Sequence, residues 1–178
     1  MPHSATFAVA LHLHCAAVTS LTTTACTTIG KRSTKRLRPC PTSLARKFFD
    51  LRRLETNFSF PSGDSAQGAV VACNLYLYTM ARRAAVLAAA GGAVDASTAA
   101  VTLLPPGLLL LLIPLVMSAR VYFGAHWWSD TAGGVAIGWI CTRATWILVL
   151  ALFGWDFSDQ HAATPTTTLL KSLGFIAN

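Results

Sequence analysis

Three short stretches of the chain carry side chains suited to handling a phosphate. Lys31 to Pro39 reads KRSTKRLRP, with six residues between Lys31 and Arg38. Phe60 to Ser65 reads FPSGDS, and Arg120 to Asp130 reads RVYFGAHWWSD. Phosphoryl transfer needs cations on the equatorial oxygens, fixed donors and a positioned nucleophile. Lys31, Arg38 and Arg120 supply cations. Ser62 and Gly63 supply a hydroxyl and backbone amides ahead of an apolar helical run, the setting of an anion site at a helix N-terminus. His126 supplies a nucleophile. Asp130 follows four residues later, so on a helix the two share a face. A carboxylate there can take the ring N–H, fix the tautomer and leave the other nitrogen to attack.

Each stretch alone also has a plain structural reading. The basic run could be a solvated juxtamembrane loop meeting anionic lipid. Ser62 or Asp64 could simply cap a helix. His126 and Asp130 could be a local polar pair beside interfacial tryptophans. The chemical reading needs all three stretches on one side of the molecule, so the elements between them matter.

Hydrophobic residues make up 53% of the 178 residues and charged residues 12%. That is about half the charged share of an average soluble domain. A disordered chain is excluded, and a membrane protein is expected. Lys and Arg number 14 against 7 Asp and Glu, for a net charge of +7. Nine of the 14 lie between Lys31 and Arg53: Lys31, Arg32, Lys35, Arg36, Arg38, Arg46, Lys47, Arg52 and Arg53. No nucleic-acid module accompanies them. The five cysteines fit no zinc spacing.

Four stretches could span a bilayer: Ala5 to Ile29, Ser65 to Ala90, Val101 to Met117 and Thr131 to Phe153. The first is interrupted by His12 and His14, is rich in Ser and Thr after Val18, and could instead be a signal-like segment. In the fourth, Gly133, Gly134 and Gly138 offer small faces for close packing. Arg143 falls within it and should face the bundle or snorkel. Spans two and three return the chain to its starting side. The basic loop, Gly30 to Gly63, and the link from Arg120 to Asp130 then share one membrane face. The expected division is 1–30 as an N-terminal span or signal-like segment, 31–155 as the core with all three stretches, and 156–178 as a polar tail.

In order and spacing the three stretches resemble the signature of the type 2 phosphatidic acid phosphatase and vanadium haloperoxidase superfamily: K-x6-R-P, then P-S-G-H, then S-R-x5-H-x3-D. The resemblance covers residues 31 to 130. It implies an all-α membrane helix bundle and a metal-independent phosphatase working through a phosphohistidine, with no cofactor. By family role, His126 is the nucleophile and Asp130 its orienter, while Lys31, Arg38, Ser62, Gly63 and Arg120 hold the phosphate. Ala119 stands where the family has Ser, and Asp64 stands where it has the His that protonates the leaving group.

Aspartate ionises at about pH 3.9, which makes Asp64 a poor acid at neutral pH but a usable base for the water that follows. This favours substrates whose leaving group departs as a stable anion. The expected function is hydrolysis of a lipid phosphate or diphosphate, with a preference for diphosphates, by an integral multi-pass membrane protein. Its partners would be that lipid and the bilayer, without nucleic acid. The rival is an impaired family member that binds phospholipid without turnover.

Overall fold

A computed structural model describes residues 5–39, 58–89, 105 and 107–153, and every regular element among them is a helix. They are α1 (Ala5–Thr34), α2 (Gly63–Ala89), α3 (Gly107–Leu110), α4 (Leu112–Tyr122) and α5 (Trp128–Phe153). α2 is central and packs on α5, α1 and α4, while α1 also packs on α5.

α1 buries every fourth residue: Leu11, Cys15, Thr19, Thr23 and Thr27. This spacing makes one face along a helix. The Ser/Thr-rich half, which interrupts the apolar pattern in the sequence, is therefore the packing face. Threonine is small, and its hydroxyl can return to its own helix. Thr19 Oγ1 donates to the Cys15 carbonyl at 2.6 Å and Thr27 Oγ1 to that of Thr24 at 3.1 Å. The two histidines are accommodated as well. His12 packs edge-on against Tyr78 and Trp146, and His14 Nδ1 bonds the Ala10 carbonyl at 2.7 Å.

α1 runs past the expected end at Ile29. It stops where Lys35 takes a left-handed φ of 47°, with its N–H donating to the Lys31 carbonyl at 3.1 Å. Lys31 and Arg32 are thus in the last helical turn rather than in a loop. Cations suit that end of the helix dipole.

α5 starts earlier than Thr131. Asp130 in its first turn accepts the Trp127 N–H at 2.9 Å, the reach-back bond of a capping box. Its packing face carries Thr131, Gly134, Gly138, Thr142 and Thr145, all buried. A side chain at Gly134 would collide with the Ser62 carbonyl oxygen, and one at Gly138 with that of Ala66. The GxxxG therefore sets the close approach of α2 and α5. At the far end Leu11, Cys15, Leu77 and Trp146 form the apolar core, where Trp146 Nε1 donates to Asn74 Oδ1 at 3.2 Å.

The third expected span runs past its expected end at Met117. It is helical over Gly107–Tyr122 with a break at Leu111, and it carries Arg120 in its last turn rather than in the link. The Gly91-to-Ala100 turn, the span's start at Val101, Arg46, Lys47, Arg52, Arg53 and the 156–178 tail lie outside the described residues. Among the described helices, one is long and apolar enough to cross a membrane, Trp128–Val149. Arg143 is half-buried within it. Large apolar side chains are exposed on the outside of the bundle, among them Leu13, Leu21, Leu115, Ile140 and Leu152.

Candidate active site

Backbone hydrogen bonds bring the three stretches together. After Lys35 the chain passes residues 58–60, where the Ser59 N–H donates to the Arg36 carbonyl at 2.8 Å. The buried Ser59 hydroxyl reaches the Arg36 and Leu37 carbonyls, each at 3.1 Å. Trp127 Nε1 donates to the Leu37 carbonyl at 3.2 Å. The Ser62 N–H donates to the Asp130 carbonyl at 2.9 Å. Stretches far apart in sequence thus share one end of the bundle, as the loop geometry predicts.

Ser62 caps α2, its Oγ accepting the Ser65 N–H at 3.3 Å. Asp64 sits in the first turn with its side chain 60% exposed, and pairs with Arg120 at 2.9 Å. Arg120 is largely buried, its side chain 13% exposed. The residue at the family's leaving-group-acid position and a predicted phosphate cation are therefore in direct contact.

His126 is placed by the turn after α4. Gly124 adopts φ 66°, and the Ala125 and His126 N–H groups donate to the Arg120 carbonyl at 3.1 and 3.3 Å. His126 is not helical, which corrects the expected shared helix face. Its ring is buried. Arg38 Nη1 donates to the Ala125 carbonyl at 2.7 Å and lies 3.3 Å from His126 Nε2. A guanidinium only donates, so Nε2 is the acceptor and the ring proton belongs on Nδ1. Nδ1 faces Asp130 Oδ2 at 3.8 Å, longer than a hydrogen bond.

The expected His–Asp bond is not made because other donors hold Asp130 more closely. Arg36 Nη1 donates to Oδ1 at 2.8 Å, and the Trp127 N–H takes Oδ2. Arg36 also donates to Ser129 Oγ at 2.8 Å, with its guanidinium 5.8 Å from the Trp127 ring centre. Sequence reasoning missed Arg36. It occupies one of the open positions between Lys31 and Arg38, and its charge was the only signal.

Lys31 and Gly63 face a groove of about 650 Å³ between α1 and α2, together with Arg32, Asp64, Phe58 and Gln67. Gln67 is braced across the helices: Nε2 donates to the Ser20 carbonyl and to Thr24 Oγ1, and Oε1 accepts from Ser20 Oγ. The site has two sides. Arg38, His126 and Asp130 form one; Lys31, Gly63 and the groove form the other; Asp64 and Arg120 pair at the site as well.

The sequence matches the PAP2 superfamily over residues 12–153. Neither the curated proteins nor the solved structures gave a match. The chain belongs to the PAP2 superfamily, a family of phosphatases acting on phosphorylated substrates.

Proposed function

We propose that the chain is a multi-pass membrane phosphatase that hydrolyses a lipid phosphate or diphosphate through a phosphohistidine on His126, without a metal. The observation that carries this reading is the placement of His126. Its Nε2 is the accepting nitrogen, a guanidinium stands 3.3 Å away, and a buried carboxylate lies behind Nδ1. A neutral imidazole in that tautomer presents a lone pair for in-line attack.

When a phosphate enters, Arg38 turns from the ring nitrogen to an equatorial oxygen. Arg120, Lys31, the Ser62 hydroxyl and the Gly63 amide neutralise the rest. Nε2 bonds to phosphorus as the P–O bond of the leaving group breaks, and the electron pair departs with that oxygen. The ring becomes positive and Nδ1–H closes on Asp130. Water then attacks the phosphohistidine, the P–N bond breaks with its electron pair returning to Nε2, and the Asp64 carboxylate takes the water's proton.

Asp64, ion-paired to Arg120, supports a base rather than an acid. The groove beside it carries Lys31 and Arg32, which suits a leaving group that is itself a phosphate. Both features favour lipid diphosphates over simple monoesters. The lipid setting is supported by the apolar exterior around a Thr-rich interior, the reverse of a soluble core, and by α5. The test is phosphate release by purified protein from a lipid diphosphate and from phosphatidic acid. Turnover that favours the diphosphate, survives EDTA and is blocked by vanadate is expected. Strict dependence on added Mg²⁺ would contradict the reading, and tight binding without turnover would favour the rival phospholipid binder.

A further inference from the structure

The resting site leaves an imbalance in how Asp130 is shared. It is fully buried, and a buried carboxylate needs a cation or several donors. Its partners are the Arg36 guanidinium and the Trp127 N–H, both shorter than its 3.8 Å approach to His126 Nδ1. Arg36 is anchored at both ends. Its carbonyl is bonded by Ser59, and its side chain by Ser129 and Asp130.

A nucleophilic histidine has a conflict to resolve. A nearby carboxylate orients it, but the same negative charge stabilises the protonated ring, which cannot attack. We propose that Arg36 is a positioning residue that holds Asp130 by Oδ1 and offsets its charge, so that His126 stays neutral and nucleophilic while Oδ2 remains within a short movement of Nδ1. The inference takes His126 as the nucleophile and so rests on the reading above.

Other charged groups also meet this part of the molecule. Arg38 approaches Nε2 from the segment after α1, and Asp130 faces Nδ1 from α5. Arg120 at the end of α4 is paired to Asp64 of α2, and Lys31 closes α1. Replacing Arg36 leaves all five in place and removes only the cation on Asp130. The remaining carboxylate then favours the protonated ring, and the acid limb of the pH profile moves to higher pH. The sign is the same for loss of Arg38, whose charge also disfavours the protonated ring, from the other side.

Two measurements on the full-length protein in detergent test this. The first is the pH dependence of kcat/KM for wild type, Arg36→Gln and Arg36→Lys. In Arg36→Gln the acid limb should rise by about one pH unit, because the Asp130 charge beside the ring is then no longer offset and an opposite charge that close shifts a titration by about that much. The deficit should reach about tenfold below the limb and shrink above it. Arg36→Lys should restore the wild-type limb even where kcat stays reduced. A uniform loss at all pH values, with the limb unmoved, would make Arg36 merely structural and overturn the proposal.

The second is the NMR titration of His126 in histidine-labelled protein, assigned by its absence in His126→Gln. Its midpoint should rise in Arg36→Gln whether or not the protein turns over substrate; an unchanged midpoint also overturns the proposal. Full activity in His126→Gln would instead sink the phosphohistidine reading, while the NMR result would still decide what Arg36 does to the ring.

Discussion

At the scale of single residues, three side chains carry separate consequences. His126→Ala should lower kcat by about a thousandfold or more, the size of loss seen when a nucleophile is removed, with the protein still extracted as a folded species. Asp130→Asn should retain measurable activity. The amide can still accept the Trp127 N–H, but it carries no charge for Arg36 or for the ring once phosphorylated; a rate scan beside His126→Ala checks the order. Asp64→His should raise kcat/KM for a lipid monoester more than for a diphosphate, because only the monoester's alkoxide needs a proton. An unchanged substrate ratio would refute the leaving-group argument.

Residue type and spacing singled out Lys31, Arg38, Ser62, Gly63, Arg120, His126 and Asp130 within their stretches, and the hydropathy pattern put those stretches on one side of the molecule. They could not show Arg36, because which of several neighbouring cations turns inward depends on the left-handed step at Lys35. Nor could they show that His126 precedes the helix and leaves Asp130 to Arg36.

At the scale of elements, the site depends on how closely α5 can approach the start of α2. The Ser62 carbonyl lies under Gly134 and the Ala66 carbonyl under Gly138, and a backbone carbonyl cannot swing aside as a side chain can. Gly138→Ala should therefore lower stability by about 1–3 kcal/mol, the usual range for overpacking a tight contact. Gly134→Ala should also displace Ser62 and with it the bond to Asp130. Gly107→Ala, where an added methyl meets nothing within 4 Å, is the matched control and should melt like wild type. Thermal unfolding in detergent, read with activity, checks all three.

The helix pattern was legible from hydropathy, and the small faces at Gly134 and Gly138 marked close packing without naming its partner, which is α2. The ends were less legible. α1 and α5 both extend beyond their apolar stretches because Lys31 suits a helix C-terminus and Asp130 caps a helix start, and hydropathy does not register either effect. The Thr face of α1 read as a weakness because hydropathy does not register hydroxyls that, like those of Thr19 and Thr27, bond back to their own helix.

At the scale of the whole molecule, the proposal of a membrane phosphatase sets the polar end where the three stretches meet at the bilayer surface, with exposed apolar side chains such as Leu13, Leu115 and Ile140 along the bundle. The two-loop geometry was derivable because any pair of spans returns the chain, whatever the status of the first. Turnover of a lipid diphosphate in mixed micelles should follow the surface fraction of substrate rather than its bulk concentration. A dependence on bulk concentration alone would remove the interfacial setting.

The central claim, a phosphohistidine on His126, is tested most directly by trapping. Wild type is mixed with lipid diphosphate carrying ³²P in its terminal phosphate, quenched within one turnover, and mapped by peptide. The account predicts label on the peptide holding His126, stable to base and lost in acid, and absent from His126→Ala. Turnover with no trapped phosphoenzyme, or label on another residue that persists in His126→Ala, would contradict it.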